Sequence, residues 1–176
     1  RQRQMCIRDR FEDLRNWRLQ QGLRPQPDIA IFSASLDIPP KSLAHYRDRK
    51  LHLLTGSEHS MAQVERLREF APVNIVECGQ GRGVDGKLVK ACLATLGYRR
   101  VYAIAGPSVL HTLASGKALD RLYLTTAHRL LGGTEFDTIA WGPQLDDPAD
   151  MPLRALYLDA SAPQGAGQTL AVYGTR

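Results

Sequence analysis

Short apolar runs alternate along the chain with stretches whose apolar positions recur every three or four residues, the periods of buried strands and amphipathic helices. Asp28 to Ser33 (Asp-Ile-Ala-Ile-Phe-Ser) follows Pro25 and Pro27 and predicts a buried strand that stops near Pro39 and Pro40. Leu51 to Thr55 predicts another. Ser60 and Gln63 form a capping box ahead of Met61, Val64, Leu67 and Phe70, an apolar stripe at helical spacing that should face a core. Pro72 ends that helix.

Val73 to Cys78 is strand-like. After a glycine-rich loop, Asp85 can cap a helix carrying Leu88, Val89, Cys92, Leu93 and Leu96 on one side, with Gly97 closing it. Tyr98 to Ala105 should contain the next strand, Gly106-Pro107 opens a helix through Leu113, and Leu122 to Ala127 is a strand. This β-α-β alternation predicts a largely parallel sheet with helices on both faces and right-handed crossovers, because parallel neighbours need long connections. Beyond Trp141 the style changes. A loop with Pro143, Pro148 and Pro152 leads to Arg154–Asp159 and Thr169–Tyr173, separated by Pro163, Gly165 and Gly167 as in a hairpin.

At 176 residues, with 43% hydrophobic and 23% charged residues, the chain reads as one globular domain. No apolar run approaches the roughly 20 residues of a membrane helix. The formal charge of +5 is uneven: the first ten residues carry +3, leaving +2 over residues 11–176, too little to argue for a nucleic-acid face. That leading segment, Arg-Gln-Arg-Gln-Met-Cys-Ile-Arg-Asp-Arg, has the character of neither a secretory signal nor a transit peptide. It resembles translated sequencing-adapter DNA, so residues 1–10 are set apart from the domain at 11–176; a basic interaction arm is the rival reading. Cys6, Cys78 and Cys92 form no close-spaced pair, and His45, His52, His59, His111 and His128 show no ligand spacing. Disulfides and metal are therefore not expected.

Ala103-Ile104-Ala105-Gly106-Pro107-Ser108-Val109-Leu110 is the most informative stretch. A strand there should run into small residues and then into a helix, whose free amides and dipole attract phosphate. A tight structural turn is the alternative. Gly79-Gln80-Gly81-Arg82-Gly83 also follows a strand, but its spacing is not GxGxxG and a flexible crossover loop explains it equally well. Ser33, Ser35 and Thr55 fall at or just beyond predicted strand ends, the edge where open α/β sheets bind ligands, although such residues are also ordinary turn formers. No nucleophile with a partnered base is apparent, so a catalytic residue is not assigned.

Taken in order, Asp28-Ile-Ala-Ile-Phe-Ser-Ala-Ser-Leu-Asp-Ile-Pro, Leu53-Leu54-Thr55, Ile104-Ala105-Gly106-Pro107, and Leu119-Asp120-Arg121-Leu122-Tyr123-Leu124-Thr125 with Leu130-Leu131-Gly132-Gly133 resemble one family. It is the C-terminal reductase domain of bacterial bifunctional riboflavin-biosynthesis deaminase-reductases, within the dihydrofolate-reductase-like superfamily. The resemblance implies a three-layer α/β/α sandwich, mostly parallel, with a C-terminal antiparallel hairpin. It implies a cytoplasmic homodimeric oxidoreductase that uses NADPH to open the ribose of a pyrimidine-ribosyl phosphate to ribitol, the 5-amino-6-(5-phosphoribosylamino)uracil reductase step. Carried over by position, Ala105, Gly106, Pro107, Ser108 and Val109 meet the cofactor pyrophosphate. Ser33 and Ser35 match its adenosine-phosphate side, where Thr55 is grouped with them as a strand-end hydroxyl.

Two departures shape the expectation. Where the family commonly has Glu-Gly-Gly, this chain has Ile104-Ala105-Gly106, and an apolar Ile104 on the substrate side cannot accept a hydrogen bond. A dihydrofolate-reductase-like enzyme with a different substrate, or a non-catalytic binding or dimerisation module, therefore stands as the alternative. Family members also begin with strand, helix and strand that have no counterpart before Phe11, and those strands flank the one ending near Ala105. Each buried group left without its ladder partner costs about 1–3 kcal/mol. The chain as given is thus expected to be inactive alone; a cooperative melt above about 45 °C together with NADPH oxidation would overturn that expectation.

Overall fold

Every residue of β2 (Leu51–Thr55) is buried, which places this strand at the centre of a parallel sheet. In this computed structural model, residues 12–43, 46–134, 138–161 and 165–174 are described. The leading tail, Phe11, His45 and Pro163 lie outside them. The parallel sheet has the order β1-β2-β3, with β1 at Ile29–Phe32 and β3 at Val73–Glu77. Ile29 aligns with Leu51 and Leu51 with Val73.

Alternation along the strands divides the apolar residues between two cores. Leu51 and Leu53 join Val64 and Leu67 of α3 (Met61–Arg68), Leu43 of α2 (Pro40–Leu43) and Leu36 on one face. Leu54 and Cys78 join Val89 and Leu93 of α4 (Gly86–Thr95) and Leu113 of α5 (Pro107–Ser115) on the other. Helices therefore cover both faces of the parallel sheet. A further helix, α1, covers residues 12–20.

The helix boundaries follow their predicted caps. Ser60 Oγ accepts from the Gln63 amide at 3.3 Å, and Asp85 Oδ1 accepts from the Lys87 amide at 2.8 Å. Gly97 adopts φ +89° after α4, the left-handed conformation that favours glycine. The apolar stripes are narrower than their spacing suggested. Val64 and Leu67 are buried, but Met61 is 61% exposed and Phe70 lies beyond α3; Leu88 on α4 and Leu96 at its C-cap remain exposed. Four-residue spacing alone does not say how far a stripe reaches around the helix.

The larger correction concerns Tyr98 to Ala105, which forms no strand. Among the described residues, no backbone hydrogen bond involves positions 101–105, and Val101, Tyr102 and Ile104 are exposed. The composition suits a buried strand, but a strand persists only in a ladder, and β1 pairs only with β2. The single largely parallel sheet expected from the alternation is accordingly two sheets of three strands. In the second, β4 (Arg121–Ala127) and β5 (Leu153–Asp159) both pair antiparallel with β6 (Gln168–Gly174). The predicted hairpin is β5–β6.

One close approach was not legible in the sequence. Gly86 at the start of α4 abuts Gly116 just after α5, so a Cβ at Gly86 would strike Thr112 O and one at Gly116 would strike the Gly86–Lys87 backbone. We expect Gly86→Ala to lower stability by about 1–3 kcal/mol, measured as a reduced denaturant midpoint, because two backbones would have to separate. A gain of up to about 1 kcal/mol, the intrinsic helix preference of alanine, would show instead that the helices have room.

Candidate functional site

The start of α5 combines several features of an anion cradle. Gly106 is the N-cap, with φ −72° and ψ 170°, and supplies no side-chain cap; Pro107 follows in the first turn. Leu110 N–H already donates to Gly106 O at 3.0 Å, whereas the amides of Ser108 and Val109 have no partner among the described residues. A Cβ at Gly106 would meet nothing within 4 Å, so there is open space beside uncapped amides at the positive end of a nine-residue helix. These residues fit a phosphate group. Ala105 and Ser108 are exposed and Val109 is half-buried against the second core, while Ile104 stands in solvent.

The predicted strand-end hydroxyls gather elsewhere on the same sheet. Ser33 N–H donates to Leu54 O at 3.0 Å, which brings Ser33 beside Thr55. By strand alternation both continue the face of Ile31 and Leu53, opposite the core that α5 joins. Ser33 Oγ accepts from the Leu36 amide at 3.0 Å and Ser35 Oγ from the Asp37 amide at 3.2 Å. These turns hold Leu36 at φ +54° with its side chain buried. Thr55 is fully buried and its Oγ1 has no partner among the described residues, so a ligand reaches that hydroxyl only if the strand end opens.

Two residues at this edge had no functional signal in the sequence. Glu77 is level with Thr55 in the ladder, and His59 Nδ1 lies 3.8 Å from Glu77 Oε1 and 3.1 Å from Gly56 O. The glycine-rich loop is pinned rather than slack. Ser57 N–H donates to Gly79 O at 3.0 Å and Glu58 N–H to Gly81 O at 2.8 Å, and a Cβ at Gly56 would strike Gly81 O. Cys78 and Cys92 are free thiols that the fold brings together. Burial, aided by Cys92, pushes the Cys78 thiol up to about 12, which keeps it protonated and unsuited to nucleophilic attack.

At the opposite edge of the sheet lies a polar chain that sequence reading did not find. Asn74 Nδ2 and His52 Nδ1 are 2.9 Å apart, His52 Nε2 and Tyr98 Oη 2.8 Å, and Tyr98 Oη donates to Asp28 Oδ2 at 2.7 Å. Burial pushes the tyrosine up to about 12, and its bond to the Asp28 carboxylate adds to this. Burial also holds His52 below its ordinary value, against the opposing pull of Asp28. For Asp28, burial acts upward but is outweighed by Tyr98, the Lys50 amide and Arg24, so its carboxyl sits below the usual range. No three His, Cys, Asp or Glu side chains converge on a metal position among the described residues, and no described helix is long and apolar enough to cross a membrane.

Comparison with solved structures identifies the class of fold. The chain superposes on a pyrimidine reductase-like protein from Corynebacterium diphtheriae with a TM-score of 0.62 at 20% identity, covering 91% of this chain and 65% of that one. The parallel and antiparallel sheets are consistent with a dihydrofolate-reductase-like fold. The chain thus spans about two-thirds of the length of that neighbour. No protein-family model matches the sequence, and no curated protein does.

The His52–Tyr98–Asp28 chain makes a pH-dependent contribution to stability. A lowered His52 pKa means that the unfolded chain takes up a proton before the folded one, so this contribution is complete above the ordinary value of 6.5 and declines as pH falls toward the lowered value. The Asp28 contribution is lost only further down, below the ordinary 3.8. Thermal midpoints should therefore fall between neutral pH and pH about 5. The fall should shrink in His52→Gln. Tyr98→Phe should cost about 1–2 kcal/mol at neutral pH by removing the donor to Asp28, and equal midpoints for variant and parent would contradict that role.

Proposed function

We propose that residues 11–176 form the reductase domain of an NADPH-dependent oxidoreductase acting on a pyrimidine-ribosyl phosphate, as in the ribose-to-ribitol step of riboflavin biosynthesis. The observation that carries this reading is the uncapped start of α5 beside the open position at Gly106, on a fold shared with a pyrimidine reductase-like protein. The Ser108 and Val109 amides bind the cofactor's pyrophosphate, and Ala105, Gly106 and Pro107 let it approach the backbone closely. Ser33 and Ser35, whose oxygens already accept backbone amides, present hydroxyl protons to the adenosine-phosphate side. Thr55 fixes the strand end beneath them.

When bound, the cofactor supplies the hydride; the protein's part is to hold donor and acceptor carbons in register and exclude water, which requires no nucleophile. In this reading Ile104 lies on the substrate side of the cofactor. We place the working enzyme in the cytoplasm as a homodimer. Its partner is a small molecule rather than a nucleic acid or membrane. A second reading rests on Ile104 itself: with no polar atom where the substrate would lie, the domain either reduces a different substrate or serves as a non-catalytic binding or dimerisation module.

In the protein, NADPH at a hundred times its dissociation constant should raise stability by about 2.7 kcal/mol. Gly106→Val should abolish that shift by filling the space beside the amides, without loss of the apo fold. The absence of any shift in the parent protein would remove the cofactor assignment. A shift without pyrimidine-ribosyl phosphate reduction would favour the second reading.

A further inference from the structure

Apart from the reductase reading, we propose that the free edge of β3 is a docking site for an extended acidic peptide, which joins the parallel sheet as its fourth strand. β3 is the end of the β1-β2-β3 order. Cys78 N–H donates to Thr55 O at 2.8 Å, so alternation directs the Val76 and Asn74 backbone groups toward β2 and those of Val73, Ile75 and Glu77 away from it. Ile75 N–H and C=O have no partner among the described residues. Exposed edges are commonly guarded by lysine, proline or a bulge. The Val-Asn-Ile-Val-Glu strand has none of these within it, and its register is regular throughout.

A trough follows this edge. Cavities of about 470 and 660 Å³ share Arg68, Asn74 and Leu96 and so run together along the strand. Met61, Val64, Ile75 and Leu96 give the trough apolar walls, and the exposure of Met61 and Leu96 becomes intelligible as surface for alternate side chains of an added strand. At the N-terminal end of β3 the lining turns cationic, with Arg24, Arg47, Arg49, Lys50 and Arg68 against Asp48. Arg47 is anchored by its Nε to Phe70 O at 2.7 Å, and Arg49 lies over the Tyr46 ring at 5.6 Å. Asp28, Asp48 and Glu65 pair with Arg24, Arg49 and Arg68, while Arg47 and Lys50 enter no ion pair among the described residues. A partner strand with carboxylates over that end complements the surplus charge. A second copy of this chain, paired edge to edge, would offer only the acid at Glu77.

The test is fluorescence polarisation with a short labelled peptide of alternating valine and glutamate. Saturable binding is expected, weakened at least about tenfold by Arg47→Glu with Arg68→Glu in protein that still melts like the parent. N-methylation of one alternate set of peptide amides should abolish binding and methylation of the other set should not, a pattern that only strand addition produces and that needs no change to the protein. No binding up to about 1 mM would overturn the proposal. So would equal binding of a valine–lysine peptide, equal binding of a single-stranded oligonucleotide, or concentration-dependent self-association abolished by the same two substitutions.

Discussion

The full burial of β2 is the constraint on which the described architecture rests. A strand buried on both faces must be apolar at consecutive positions and needs a helix layer on each side, and Leu51, Leu53 and Leu54 meet α3 from one direction and α4 with α5 from the other. Its backbone is satisfied by β1 and β3 in unbroken register. Everything at either end of the sheet is positioned by that central ladder, because a one-residue slip would exchange the two cores.

The two ends so positioned differ in chemistry. At the C-terminal end the groups on offer are hydroxyls and a carboxylate beside an imidazole. At the other end, an Asn-His-Tyr-Asp chain closes the bottom of the strands and ties Tyr98, beyond α4, to Asp28, before β1. That tie spans 70 residues of sequence and joins the connection after α4 to the first strand. It is a structural use of polar groups, with each satisfying the next.

Much of this was readable from local pattern. The strand runs at Asp28, Leu51, Val73 and Leu122, the caps at Ser60 and Asp85, and the helix opening at Pro107 depend on residues close in sequence, and the structure has them within a residue or two. Three kinds of feature were not readable. Pairing depends on distant partners, so the Tyr98–Ala105 run looked like a strand while nothing described pairs with it. Contacts between glycines 30 residues apart, Gly86 and Gly116, leave no local trace. Side-chain facing at the site is also non-local: Ser33 and Thr55 were identified by their strand-end positions, but that they lie across the sheet from the helix bearing Val109 follows only from the division of the cores.

The bare run at 101–105 also bears on handling of the polypeptide. Val-Tyr-Ala-Ile-Ala is uncharged, free of proline and glycine, and rich in residues that favour pairing, with its hydrogen-bonding groups turned to water. Such a window recruits identical windows from neighbouring molecules. Concentrated preparations should then lose material to fibrous or amorphous deposits well before the buried ladder around β2 gives way, and solubility rather than melting temperature would set the practical limit on working with this chain.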